Sequence, residues 1–283
     1  MTGIIWLASY PKSGNTWLRA FLANYLSQST KAVPINDLPK FILGDNLALH
    51  YAQFTGREVD DMSAEEIARL RPQIHEWFAR SRQEDVFVKT HNAVALADGV
   101  PLITPQATAG AVYAVRNPLD VAVSFAHHYQ IDYERAVESL GREDYRLPAA
   151  NGLLPQYLGS WSRHVASWTQ SQGLTLQVVR YEDLIRDPVK SFTKVIKFLG
   201  LPVNKQRLRM AVKFSSFKEL SKQERSSAFV ESRPDGKTAF FRQGEVGAWR
   251  EALDEGQIAR LVSDHRAAMT AMGYLDGEGR LVL

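Results

Sequence analysis

An α/β fold with a central, mostly parallel sheet flanked by helices is the architecture this chain predicts, as a single domain over residues 1–283. Three observations carry the expectation. Short apolar runs alternate with longer stretches of helical period. Two helices open on an Asn or Asp cap followed by Pro, at Asn117-Pro118 and Asp187-Pro188. The polar residues best suited to chemistry fall at the ends of the apolar runs, where parallel sheets gather their ligands.

Ile4-Ile5-Trp6-Leu7-Ala8 is apolar throughout and reads as a buried strand. Ser9 to Trp17, SYPKSGNTW, follows as a short loop, and Leu18, Phe21, Leu22, Tyr25 and Leu26 then recur at helical spacing. A strand, a Lys/Ser/Gly loop and a helix in this order form a P-loop-like unit. It aims backbone N–H groups and a helix N-terminus at one point, which favours phosphate or sulfate. The usual nucleoside-triphosphate pattern places Lys after the second Gly, whereas Lys12 precedes Ser13-Gly14. Lys12 therefore approaches a ligand from the strand side, and Trp17 offers a flat face to a base. The alternative is a tight Gly turn with a solvated Lys.

Residues 28–84 carry turn signals and a helical stretch over Ala64 to Arg82, and read as an insertion covering the site. Asp85 to His91 is a short β run ending in polar residues. Gly110 to Arg116 is nearly all apolar, as for a strand buried on both faces. Asn117-Pro118 opens a helix reaching Tyr129, with a cap acceptor and Pro at the first helical position. Residues 131–155 mix charges, Gly, Pro and aromatics without a period. Helical patterns follow at Gln156 to Gln170, Pro188 to Leu199, Asn204 to Val212 and Gln257 to Met272, with a strand at Leu174 to Arg180. Ser221 to Gly247 is polar and Arg/Gly-rich, and residues 221–247 read as a mobile lid.

The net charge is only +3, and the densest basic stretch, Lys205 to Lys213, has helical spacing and reads as a solvated face. Nucleic acid is therefore not an expected partner. The chain has no cysteine, which excludes disulfides, thiolate chemistry and Cys-ligated metals. Its seven histidines show no metal-binding spacing, so no metal is expected. No apolar window reaches membrane-span length, and the chain enters its first strand almost at once, so a cytoplasmic protein is the expectation.

Lys12, Lys89, His91, Arg116 and Tyr181 all fall at or just beyond a strand end, from four distant parts of the chain. In RNPLDVAVS, Arg116 offers a planar fork for phosphate and Ser124 a hydroxyl two turns along the helix. That suggests a second anion site; the alternative is an Arg116–Asp120 ion pair. Gly244 and Gly247, flanked by Arg242 and Arg250, suggest a third set of amides near an anion, or a plain turn. His91 beside these cations suits removal of a proton from a hydroxyl, although a lone His is often structural.

Taken together, SYPKSGNTW, KTH (Lys89 to His91), RNPLDVAVS, RYEDL (Arg180 to Leu184), FSSFKEL (Phe214 to Leu220) and FRQGEVGAW resemble the signature segments of cytosolic-type sulfotransferases, in the family's order. Those enzymes use 3′-phosphoadenosine 5′-phosphosulfate. The resemblance implies that Lys12, Ser13, Gly14, Asn15 and Thr16 hold the 5′-phosphosulfate and that Trp17 stacks on adenine. Arg116 and Ser124 would bind the 3′-phosphate, joined by Arg242, Gln243 and Gly244. Tyr181, Ser215 and Phe217 would contact the adenosine. His91 would be the catalytic base, with Lys89 and Lys12 beside the transferred group.

The implied reaction is in-line sulfuryl transfer to a hydroxyl of a small-molecule acceptor, with residues 28–84 and 131–155 on the acceptor side. The chain departs from the family where Asn92-Ala93 replace the usual Leu-Pro, and where Gln243, Ala248 and Arg250 replace Lys, Asp and Lys. The animal members' dimer segment is not recognisable. Two other readings stay open. One is a phosphotransferase with an atypical phosphate loop, for which Glu182-Asp183 stands as a magnesium-holding candidate. The other is a nucleotide-binding protein without turnover.

Overall fold

The computed structural model describes residues 2–231, 239–242 and 244–282. Its central sheet has five strands: β1 (Ile4–Ser9), β2 (Leu43–Gly44), β3 (Val86–Thr90), β4 (Thr108–Val115) and β5 (Leu176–Arg180). Their order is β2-β3-β1-β4-β5, and every pairing is parallel. The central β1 thus has β3 on one side and β4 on the other, which opens a crevice at its carboxyl end. The register aligns those ends: Ala8 lies opposite Thr90, Ser9 opposite Ala114, and Val115 opposite Arg180. The loops after four strands therefore leave from one edge.

The described residues also form twelve α-helices: α1 (Asn15–Ser27), α2 (Ala48–Thr55), α3 (Ala64–Arg80), α4 (Pro118–Tyr129), α5 (Tyr133–Gly141), α6 (Trp161–Thr169), α7 (Tyr181–Arg186), α8 (Pro188–Phe198), α9 (Lys205–Phe214), α10 (Phe217–Ser226), α11 (Trp249–Ala252) and α12 (Glu255–Ala271). None of the described helices is long and apolar enough to cross a membrane. The period-2 alternation of β1 feeds a core on each face of the sheet. Ile4, Trp6 and Ala8 join Val88, Tyr113, Phe125 and Trp168. Ile5 and Leu7 join Phe21, Tyr25, Phe192 and Ile196. The polar tip of Trp6 is satisfied by Nε1 donating to Thr108 Oγ1 at 2.8 Å.

The two Pro-led helices start as their caps require. Asn117 accepts from the Leu119 N–H, and Asp187 accepts from the Lys190 N–H. Three sequence expectations need correction. The helix expected from Gln156 begins only at Trp161, because Gln156–Tyr157 pairs antiparallel with Arg146–Leu147 and Ser160 supplies the cap. Residues 131–155, read as irregular, contain α5, whose cap is Asp132. The 28–84 segment is more than a cover, since it supplies the edge strand β2.

The expected 221–247 lid begins within α10, where Glu224 accepts the main-chain N–H groups of Phe240 and Phe241 at 2.6 and 3.0 Å. Residues 232–238 of that lid, and Gln243, lie outside the described residues.

Candidate active site

A cavity of about 480 Å³ lies at the carboxyl edge of the sheet, between the loop after β1 and the ends of β3 and β4. Two backbone positions shape the loop. Lys12 takes a left-handed conformation with φ 68°. Gly14 caps α1 with φ 97°, and a Cβ there would lie 2.8 Å from Cδ2 of Tyr181. Only Gly combines that φ with so close an approach. The N–H groups opening α1 are then left to a ligand, since a helix start has no internal partners for them.

Lys12, Gly14, Asn15, Thr16 and Trp17 all line the cavity. The Lys12 ammonium sits 3.9 Å above the Phe240 ring. Burial, and then Arg116, push its pKa down to about 7. Burial also lowers Lys89, which lines the cavity from the end of β3. The Asn15 side chain is tied back by its amide nitrogen, while its Oδ1 has no protein partner. Its Nδ2 donates to the Leu7 carbonyl at 2.8 Å and to Ser9 Oγ at 3.3 Å, and so fastens the loop to β1. Ser13 is fully buried, its hydroxyl has no protein partner, and it is not part of the cavity wall. Trp17 meets Tyr181 and Phe192 edge-on, each at 5.8 Å between centroids.

Arg116 lies just beyond β4, its guanidinium 4.4 Å from the centre of the Tyr181 ring. It donates to the Glu245 carbonyl at 2.8 Å and the Lys12 carbonyl at 3.4 Å, while its Nε has no protein partner. The alternative partner, Asp120, is engaged elsewhere: it accepts the N–H groups of Gly247 and Trp249 at 2.9 and 3.3 Å. Ser124, Tyr181, Phe217, Arg242 and Gly244 line the same cavity. Gly244 packs so closely on Phe217 that any Cβ there would collide with the ring. Ser215 is fully buried, donates to the Val212 carbonyl at 3.4 Å and does not line the cavity.

His91 reaches the cavity with Nδ1 at 2.8 Å from the Ser9 carbonyl oxygen and 3.2 Å from Ser9 Oγ. A carbonyl can only accept, so Nδ1 carries the proton and Nε2 keeps its lone pair. Burial, and then the Lys89 charge, hold the imidazole well below its ordinary pKa. The ring is therefore held in its neutral form near pH 7.

Sequence reasoning missed Asp45, Arg19 and Glu231. Asp45 is fully buried and accepts from Thr90 Oγ1 at 2.6 Å and Asn92 Nδ2 at 2.9 Å. It thereby braces both residues flanking His91, and the departure at Asn92 acquires a structural reason. Arg19, only 3% exposed, donates to both carboxylate oxygens of Glu231 at 2.6 and 2.7 Å, and to Thr16 Oγ1 at 3.1 Å. Burial opposes ionisation of Glu231, but Arg19 and then Lys89 outweigh it and hold the carboxyl down to about 2. The i, i+3 spacing of Thr16 and Arg19 was the available signal; Asp45 and Glu231 had none.

Glu182 accepts the Asn117 N–H at 2.9 Å and the Tyr274 hydroxyl at 2.9 Å, which makes it a structural acid rather than a metal-holding one. Among the described residues no group of three His, Asp or Glu is placed to hold a metal ion.

Clustered cations, unpartnered helix N–H groups and flat aromatic faces suit a ligand with several anionic oxygens and a base. Comparison with known proteins agrees. Residues 3–273 match the sulfotransferase domain model. Sulfotransferase 1A1 of Canis lupus familiaris is 27% identical over 273 residues, covering 94% of this chain and 83% of that protein. The 3-beta-hydroxysteroid sulfotransferase of Cavia porcellus is 25% identical, covering 88% and 77%.

Two solved structures share the fold. Mouse sulfotransferase SULT7A1 complexed with PAP has a TM-score of 0.59 and 22% identity, covering 95% of this chain and 85% of that one. Retinol dehydratase in complex with androsterone and the inactive cofactor PAP has a TM-score of 0.65 and 20% identity, covering 94% and 80%. Since the domain match spans nearly the whole sequence, this chain belongs to the sulfotransferase family.

Proposed function

We propose that the protein transfers a sulfuryl group from 3′-phosphoadenosine 5′-phosphosulfate to a hydroxyl of a small-molecule acceptor, with His91 as general base. One observation carries the reading: His91, whose Nδ1 is committed to the Ser9 carbonyl so that Nε2 keeps its lone pair, lines the same cavity as Lys12 and Lys89. The donor supplies an activated sulfuryl group, and the protein supplies alignment and fixed positive charge.

Lys12, Gly14, Asn15 and Thr16 would hold the phosphosulfate. Arg116, Ser124, Arg242 and Gly244 would hold the 3′-phosphate, and Trp17, Tyr181 and Phe217 would face the adenosine. Gln243 keeps its expected place in that set. Ser13 and Ser215 shape the loop and the α9 end from beneath. His91 Nε2 takes the acceptor's proton, and the resulting imidazolium keeps its Nδ1–H on the Ser9 carbonyl. Lys12 balances charge on the leaving phosphate side, and Lys89 on the transferred group.

Ile42, Leu43, Leu47, Leu147 and Leu153 wall the cavity beside Asn46 and Gln156, which suits an acceptor with an apolar body. The steroid-named relative and the androsterone complex support the same class of acceptor. Engagement of Glu182 by Asn117 and Tyr274 weighs against the phosphotransferase reading.

The test joins binding to turnover. Adenosine 3′,5′-bisphosphate (PAP) should stabilise the fold by about 2.7 kcal/mol at a hundred times its dissociation constant. His91→Ala should keep that shift and lose roughly 10²–10⁴ in kcat. Absence of a PAP shift, or an alanine variant of full activity, defeats the reading.

A further inference from the structure

We propose that His164 is the positioning residue of the catalytic base, holding His91 from α6 through the main-chain carbonyl of His91. The inference rests on the reading of His91 as general base. Beyond Thr90 the chain leaves the sheet, and its main-chain groups need new partners. Three side chains of α6, within the stretch HVASW, meet them. His164 Nε2 donates to the His91 carbonyl at 3.0 Å. Trp168 Nε1 donates to the Asn92 carbonyl at 3.1 Å. Ser167 Oγ accepts the Val94 N–H at 3.1 Å. His164 and Trp168 are four residues apart and so lie on one helix face, one turn from each other.

Hydrogen-bond direction settles the state of the His164 ring. Its Nε2 faces a carbonyl and must carry the proton, so Nδ1 holds a lone pair and accepts the Tyr113 hydroxyl at 2.8 Å. Tyr113 comes from the middle of β4 and is fully buried. A directed chain follows: Tyr113 O–H to His164, His164 N–H to the His91 carbonyl, and His91 N–H to the Ser9 carbonyl. The Tyr10 ring stands edge-on to His164 at 5.4 Å and Tyr113 stacks on it at 5.7 Å, so the imidazole has little room to turn.

Burial holds His164 down to about 4, so it stays neutral where the enzyme works and the chain keeps its direction. His91 is thus fixed at two points, ring and main chain, by two different elements. Loss of the second point lets Nε2 drift, and a displacement near 1 Å can cost on the order of 10²-fold in rate.

A core histidine that only fills space makes a different prediction from one that donates at Nε2. The amide nitrogen of Gln reaches the position of His Nε2, whereas that of Asn reaches only the position of Nδ1. His164→Gln should keep kcat for 2-naphthol within about threefold, while His164→Asn and His164→Leu lose roughly 10–100-fold. All three should bind PAP as the wild type does, with little change in KM.

Trp168→Phe, which removes the N–H donor together with the five-membered half of the indole, should lower kcat several-fold. Imidazole ¹⁵N NMR of His91 in the PAP complex, which needs no acceptor turnover, should show the Nδ1–H tautomer preserved in His164→Gln and blurred in His164→Leu. Equal activity of the Gln and Asn variants, a Leu variant matching wild type in rate and spectrum, or losses tracking PAP affinity would each overturn the inference. Failure of the wild type to bind PAP would instead strike the reading of the site, so the two failures are distinguishable.

Discussion

Mild acidification should destabilise this protein through its buried histidines. His75, His164 and His265 are each at most 1% exposed. His75 is pushed down to about 3 by burial and then by Arg71. His164 and His265 are pushed down to about 4 by burial. In the unfolded chain each takes up a proton near pH 6.5. Between those values the unfolded state binds more protons, so stability falls as pH falls.

From pH 7 to 5.5 each ring loses about 1.2 kcal/mol, and the three together lose nearly 4 kcal/mol, out of a total of roughly 5–15 kcal/mol. His91, also lowered by burial and then by Lys89, acts in the same direction. Burial raises the carboxyls of Asp45 and Glu182, which oppose the trend as pH nears their raised values. Urea unfolding followed by the fluorescence of the six tryptophans measures the effect at both pH values. His75→Asn, whose amide reaches the Nδ1 position and so keeps a side-chain partner for Thr104, should flatten the dependence by about 1.2 kcal/mol. A fall below about 1 kcal/mol would mean that the rings titrate in the fold much as in water. Burial would then not hold His91 neutral either.

Two further outcomes concern the nucleotide. Arg116→Ala should raise the dissociation constant of PAP roughly 10–100-fold, the worth of charge-assisted bonds to one phosphate, while barely changing that of adenosine 5′-phosphate. Equal losses for both ligands, measured by calorimetry, would remove the 3′-phosphate assignment. Lys12, pushed down to about 7 by burial and Arg116, should regain its proton when an anion binds. PAP binding at pH 8 should then take up close to one proton, and affinity should fall about fivefold from pH 7 to 8. Calorimetry in two buffers of different ionisation enthalpy reads the proton directly, and zero uptake contradicts the placement of Lys12.

Much of this was legible because the signals are local. β1 is a continuous apolar run, Gly14 is needed by a turn, and Asn117-Pro118 announces α4 to the residue. The cations at the strand ends could be grouped because a parallel sheet sends all its carboxyl ends to one edge. What escaped depends on partners far away in sequence. β2 is two residues long and exists only by pairing with β3. Asp45 acts on Thr90 and Asn92, and Glu231 acts on Arg19, with no periodicity to announce either. Asn15 and Ser13 are the converse case. A family motif marks them for the ligand, while the fold turns one side chain back onto β1 and buries the other.

The support of the site explains why its charges can sit so close together. Lys12, Lys89 and Arg116 repel one another, and burial deprives them of water, so each would relax apart if its backbone allowed it. The backbone does not. Arg116 uses two of its five N–H donors to tie the Lys12 carbonyl to the Glu245 carbonyl, which leaves others for an anion. Asp120 holds the next stretch of the same loop by the Gly247 and Trp249 N–H groups. Arg19, the most deeply buried of the arginines in the cavity wall, has a carboxylate of its own in Glu231. Repulsion maintained in this way is released only when an anion arrives. It therefore favours the ligand and most of all the charge that builds up on it during transfer, the condition under which a preorganised site accelerates a reaction.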